Sequence, residues 1–288
     1  MAIPKLAMIP SGYKANKVYS VLPTDGSGDL DFARTSTATR VNQNGLIEEV
    51  LTGVPRLDYA DGGCPSLLLE PASTNLITYS EDYSNAYWTK SGATVTSGFS
   101  APSVDSPLGA FKLVEDTSNG LHWIESGSGS SLAGDLSSSI RVKADGISKI
   151  GIRESRFSGD YATFNLTTGT VIDNSAGDSV NIKSLANNWY EISVVADGNV
   201  SGHRFGIYLL DNSYTTGSPS SYSYTGDGTS GLYIFGAQVE EQSSATSYIP
   251  TAGTTISRTA DSASKSGISS LINSSQGVLY AEISALSN

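Results

Sequence analysis

Between residues 76 and 250, apolar and polar residues alternate with a period of two in one short run after another. That pattern restricts the chain to strands with one buried and one solvated face. "AFKLVED" (110–116) places Phe111 and Leu113 on one side, and "LHWIES" (121–126) sets Leu121, Trp123 and Glu125 against His122 and Ile124. "SSIRVKA" (138–144) points Ile140, Val142 and Ala144 one way, with Arg141 and Lys143 toward solvent. "SKIGIRES" (148–155) repeats the pattern with Ile150 and Ile152, and "YATFNLTTGTVI" (161–172) predicts a hairpin about Thr168–Gly169. "NWYEISVVAD" (188–197), "HRFGIYLLD" (203–211) and "SGLYIFGAQVEE" (230–241) complete the series. Gly, Asn and Asp interrupt the runs and no amphipathic helix separates them, so the fold class is all-β, a jelly-roll β-sandwich.

Composition supports this reading. Hydrophobic content is 38% and charged content 16%, with 30 glycines among 288 residues, and the balance is made up by Ser, Thr and Asn, which favour turns and strand edges. Residues 1–66 lack a sustained period and predict an extended N-terminal arm, in which "ARTSTATRV" (33–41) could add a strand to a partner's sheet. The sandwich then occupies 67–250. Residues 251–288 read as a polar linker with a short helix at 267–273 and a strand-like end at 277–286, the start of a further β domain. Trp88 and Trp189 open strand-like runs and are expected in the packing, and Glu70, ahead of Pro71, is expected as a structural contact at the arm–sandwich junction.

Several function classes are excluded at this level. A net charge of -11 without a basic cluster argues against nucleic acid. No apolar run is long enough for a signal peptide or a membrane span, so synthesis in the cytoplasm and release by lysis are expected. The single cysteine, Cys64, allows no intrachain disulfide, and two histidines 81 positions apart, His122 and His203, offer no metal spacing. Both read as ordinary surface or edge residues. Segments 115–120 and 225–231 carry oxygen ligands suited to calcium, but neither has the D-x-D-x-D-G spacing, so no metal and no cofactor is expected.

Enzymatic glycan cleavage would need two carboxyl groups facing each other across a sugar. Glu70, Glu81, Asp82, Glu115, Asp116, Glu125, Glu154 and Asp160 are available, none in a catalytic motif, and there is no G-x-S-x-G elbow. No catalytic residue is therefore expected. The aromatic residues point elsewhere, because a sugar ring packs its C–H groups on an exposed aromatic face. Trp123, Tyr161, Tyr214, Tyr222 and Tyr224 are the candidate carbohydrate-binding residues. The last three lie in the Ser/Thr-rich loop "DNSYTTGSPSSYSYTGDG" (211–228).

Residues 11–50 ("SGYKANKVYSVLPTDGSGDLDFARTSTATRVNQNGLIEEV"), "VPRLDY" (54–59) and "CPSLLLEPASTNLITYSEDYSNAYWTKSGATVT" (64–96) resemble a run found in virion proteins of tailed bacteriophages. "GLYIFGAQVEEQSSATSYIPTAGTTISRTAD" (231–261) is similar to the segment that closes the sandwich in the same tail-fibre and head-fibre (spike) proteins. The resemblance implies a structural virion protein and a homotrimer or other oligomer. It further implies attachment to capsid or tail proteins through the N-terminal region, and a sandwich like a carbohydrate-binding module, contributing to host-surface glycan adhesion. It carries no catalytic residue. An adhesin or a polysaccharide depolymerase is the alternative.

Overall fold

The computed structural model describes all residues except 1–3, 11, 130–133, 155–160, 176–178, 197–201, 273–274, 279 and 284–288; the side chain of Glu154 and the whole of Asp160, both weighed above as acids, lie outside the described set. The chain divides into two compact units, Thr74–Ile256 and Met1–Ser73 with Ser257–Asn288.

The unit Thr74–Ile256 is an antiparallel sandwich. Its strands are β1 (Thr89–Ser91), β2 (Ala93–Phe99), β3 (Ala110–Glu115), β4 (His122–Glu125), β5 (Leu136–Asp145) and β6 (Lys149–Glu154). They continue as β7 (Tyr161–Asn165), β8 (Thr170–Asn174), β9 (Val180–Ser184), β10 (Tyr190–Ala196), β11 (Phe205–Leu210) and β12 (Gly231–Glu240). One six-stranded sheet runs β2-β3-β12-β5-β10-β9 and the other β8-β7-β6-β11-β4-β1. Consecutive strands repeatedly change sheet, in the jelly-roll manner. Inward residues of both sheets share one core: Phe111, Leu113, Ile140, Val142, Ile192 and Ile234 from the first, Ile124, Ile150, Ile152, Phe164, Ile207 and Leu209 from the second. The alternation read along these strands is the alternation observed. The hairpin at Thr168–Gly169 also forms, with Gly169 at φ 65° and Asn165 Oδ1 accepting from the Thr167 N–H at 2.9 Å.

Alternation misjudges Arg141. Its side chain faces away from the shared core, yet it is buried. Residues 246–251 are tied to this outer face, where Ile249 N donates to Gln238 Oε1 at 2.7 Å and Tyr248 places its ring 5.1 Å from the Arg141 guanidinium. Arg141 also donates to Gly236 O at 3.0 Å and pairs with Glu191. Both histidines are buried as well. The His122 ring lies between the carbonyl oxygens of Gly92 (2.5 Å) and Tyr224 (3.2 Å), so it links loops as an interior group.

The second unit holds short pieces of sheet. Tyr13–Lys14, Lys17–Val18, Leu30–Ala33 and Ser262–Ser264 form one four-stranded sheet, while Ala38–Val41 pairs with Ile47–Val50 and Arg56–Asp58 with Ser66–Leu68. The strand former in 33–41 is thus satisfied inside its own chain. The boundaries at 73/74 and 256/257 differ from those expected at 66/67 and 250/251 because the chain after 256 returns to residues 31–36 and 70. The described residues of the expected helix 267–273 form no helix but one turn, closed by Leu271 N to Ile268 O at 2.9 Å. The described residues of 277–286 carry no strand.

What holds this unit is a buried ionic cluster. Asp261 accepts from Arg34 Nη1 (3.0 Å), from Arg56 Nη2 and from the Glu70 N–H (3.0 Å). Glu70 accepts from Arg56 Nη1 at 2.7 Å and Arg258 Nη1 at 3.0 Å. Three guanidiniums face two carboxylates, and backbone carbonyls accept further bonds: Ser36 and Leu51 from Arg34, Thr39 from Arg56, Pro71 from Arg258. Glu70 is a structural contact, as expected. Burial pulls the Arg34 pKa down, and its hydrogen bond and charge pairing with Asp261 oppose that shift.

Candidate functional site

The outer face of the second sheet carries two lateral rows of residues. Strand pairing sets Ser91, Trp123, Tyr208, Gly151, Thr163 and Asp173 side by side, and the next row runs Thr89, Glu125, Gly206, Arg153, Tyr161. These positions alternate with the inward Ile124, Ile207, Ile152 and Phe164, which fixes the side they occupy.

Trp123 and Tyr208 are a directly opposed cross-strand pair with ring centroids 6.4 Å apart and planes inclined by 36°. Gly206 permits this arrangement: a Cβ there would lie 2.9 Å from the Tyr208 ring, so the ring lies against bare backbone. The Tyr208 hydroxyl pKa is pushed up by burial, against an opposing hydrogen bond from Arg153. Glu125 is bound by Arg204 at 2.9 Å, and Arg204 Nε also donates to Ser128 Oγ at 2.8 Å. Tyr161 stands three strand spacings across the sheet from Trp123, about 14 Å laterally, and one row along it, half-buried, with its hydroxyl donating to Asp173 at 3.2 Å.

The loop 211–224 covers one side of this face. Pro219 packs on Gly151, where a Cβ would meet it at 2.5 Å. Asp173 anchors the loop by accepting from Thr216 Oγ1 (2.7 Å) and Gly217 N (2.8 Å), and these bonds hold its carboxyl below the usual range. Tyr214 is only 1% exposed, donating its hydroxyl to Gly217 O with Thr163 Oγ1 3.4 Å away, and Tyr224 is 8% exposed with its hydroxyl on Glu115 at 2.6 Å. Neither offers a ring face to a ligand, which corrects their assignment as platforms: both rings were needed inside. Tyr222 is half-buried, packs edge-on against Tyr214 at 5.0 Å and donates to Asp211 at 2.6 Å. Trp123, Tyr161 and Tyr222 keep partial exposure; Arg153 beside them, and Tyr208, a 5% exposed ring that backs Trp123 without facing a ligand, are contributors that the sequence reading missed. Their signal was present in "HRFGIYLLD" and "SKIGIRES", where each falls out of phase with the core residues, but the neighbour across the sheet was not readable.

Tyr224→Phe is expected to lower sandwich stability by about 1–3 kcal/mol, because it removes a donor from the buried Glu115 carboxylate. Urea unfolding of the pair checks this, and saccharide binding should be unchanged.

The carboxylates on the two rows, Glu125 and Asp173, are committed to Arg204 and to the loop. Among the described residues no group of three or more His, Cys, Asp or Glu could hold a metal ion. In the two segments considered for calcium, Asp116 and Asp227 accept from their own following residues, Ser118 for one and Thr229 and Ser230 for the other.

No family model and no curated protein matches the chain. Among solved structures it is similar to the enzymatically active domain of tailspike protein 4 from bacteriophage CBA120, with a TM-score of 0.37 and 13% identity over 57% of this chain and 21% of that one. It is also similar to TmCBM61 in complex with β-1,4-galactotriose (TM-score 0.36, 8% identity, 58% of this chain and 99% of that one). A third is the carbohydrate-binding module CBM6cm-2 from Cellvibrio mixtus lichenase 5A in complex with cellotriose (TM-score 0.29, 11% identity, 61% and 99%). The sandwich assignment itself stands on the strand pairing and shared core described above.

Proposed function

We propose that this chain is a structural component of a tailed-bacteriophage fibre or spike, and that its sandwich binds neutral host-surface glycans without cleaving them. The observation that carries the binding part is Trp123, half-buried on the outward sheet face and backed by the buried Tyr208 ring, with Arg153 and the Arg204–Glu125 pair beside it. A partly exposed indole supplies the apolar face for a sugar ring, and the flanking guanidiniums supply donors for its hydroxyls. The non-catalytic reading draws support from the engagement of both carboxylates on the rows, Glu125 with Arg204 and Asp173 with the loop, and from the lack of a catalytic motif in the sequence. The virion part draws on the sequence resemblance, and with it come an oligomeric, trimeric assembly and attachment to capsid or tail proteins through the N-terminal region.

Trp123→Ala is expected to weaken binding of host-surface polysaccharide by about 30-fold, a loss near 2 kcal/mol typical of a central aromatic contact. Isothermal titration with purified polysaccharide reads the effect, and an unchanged affinity removes the platform from the account. A reducing-end assay on the same polysaccharide should show no product.

A further inference from the structure

A cleft of about 340 Å³ opens among Thr78, Tyr87, Ser128, Gly129, His203 and Thr255, within the sandwich unit. Its walls depend on two glycines. A Cβ on Gly129 would lie 1.7 Å from His203 Cε1, and one on Gly127 would lie 2.8 Å from the Tyr87 ring. The sequence Gly127-Ser128-Gly129 therefore seats one ring against each glycine and leaves the serine between them. Tyr87 is braced from behind by Trp88 at 5.6 Å, edge to face, and by Tyr79 at 5.8 Å.

We propose that this cleft is a second saccharide-binding site, taking a neutral sugar unit against the partly exposed Tyr87 ring, with the buried His203 ring packed behind Gly129. One partly exposed aromatic wall, three hydroxyls from Thr78, Ser128 and Thr255, and no carboxylate, lysine or arginine among the lining residues suit an uncharged polyhydroxyl ligand. The volume lies at the lower end of small-ligand sites, room for a short saccharide. A chain of side-chain contacts links the cleft to the aromatic face. Ser128 accepts from Arg204, Arg204 holds Glu125, and Glu125 is two residues along β4 from Trp123. At about 3.3 Å per residue, Ser128 lies about 16 Å along the chain from Trp123, so one oligosaccharide could reach both. Two linked sites raise the avidity for a polymer well above the affinity of either. This inference shares the glycan reading of the proposed function but stands on separate residues.

The test is titration of the isotope-labelled full chain with neutral methyl glycosides and β-1,4-linked disaccharides, followed by NMR. The expected result is movement of the Gly127 and Gly129 amide signals and the His203 ring signals, retained in Trp123→Ala. Thr255→Glu, at an exposed rim position, and Tyr87→Leu should each weaken that response about 10-fold. The proposal is overturned if no probe moves those signals, if the response persists undiminished in both cleft variants, or if glucuronate, an anionic probe, outcompetes the neutral sugars. Failure of the aromatic face shows separately, as an unmoved Trp123 indole signal.

Discussion

Asp261→Asn is expected to destabilise the unit Met1–Ser73 with Ser257–Asn288 by about 3–5 kcal/mol, the range for breaking a buried ion pair from one side. The carboxylate is fully buried and receives two guanidiniums and a backbone N–H. An amide in its place leaves three arginines facing Glu70 alone, in a site where desolvation already opposes the charge on Arg34. The surrounding carbonyls can orient the guanidiniums, but they cannot neutralise them. Urea unfolding read by probes in this unit measures the loss. Because the charges act as one network, Glu70→Gln combined with Asp261→Asn should cost clearly less than the sum of the single changes. A single-site loss below about 1 kcal/mol would show that the cluster is no more than an accommodated group of charges.

Trp88→Ala should cost the sandwich about 3–5 kcal/mol, the range for removing a large buried aromatic. Trp88 is 2% exposed, stacks obliquely on Tyr83 with centroids 4.9 Å apart, meets Tyr87 edge to face, and donates its indole N–H to Tyr79 O at 2.9 Å. Tyr83 in turn packs on Phe111 at 5.7 Å and its hydroxyl oxygen accepts from the Ala237 N–H at 3.1 Å, so Trp88 anchors the segment before β1 to both β3 and β12. Chemical denaturation should show a lower midpoint with a similar slope. Because Tyr87 loses its brace, cleft binding should fall together with stability. A change under about 1 kcal/mol would mean that the segment 76–88 is not coupled to the sandwich core.

Much of the sandwich was legible because its inward residues obey a period of two: Ile150 and Ile152, or Ile207 and Leu209, declare their face without reference to the rest of the chain. Arg141 did not, since its cover is supplied by Tyr248, more than a hundred residues further along. The same limit applies to the tyrosines. Local sequence cannot separate Tyr214, which the loop folds inward, from Tyr222, which stays half-exposed. The ionic cluster gathers Arg34, Arg56, Glu70, Arg258 and Asp261, and each lies in one of the sequence blocks that resemble phage fibre proteins. Those blocks were recognisable as strings, but what they have in common appears only when the chain after 256 returns to the first seventy residues.

Intrinsic fluorescence tests the central claim, glycan binding at Trp123, most directly. The chain has three tryptophans, and Trp88 and Trp189 are each 2% exposed, so quenching by acrylamide reports chiefly on Trp123. Saturating host-surface polysaccharide should protect that fluorescence from acrylamide, and the protected component should vanish in Trp123→Ala while Trp88 and Trp189 continue to emit. Polysaccharide that binds the protein yet leaves acrylamide quenching unchanged would contradict the account, because the glycan would then lie elsewhere than on this face.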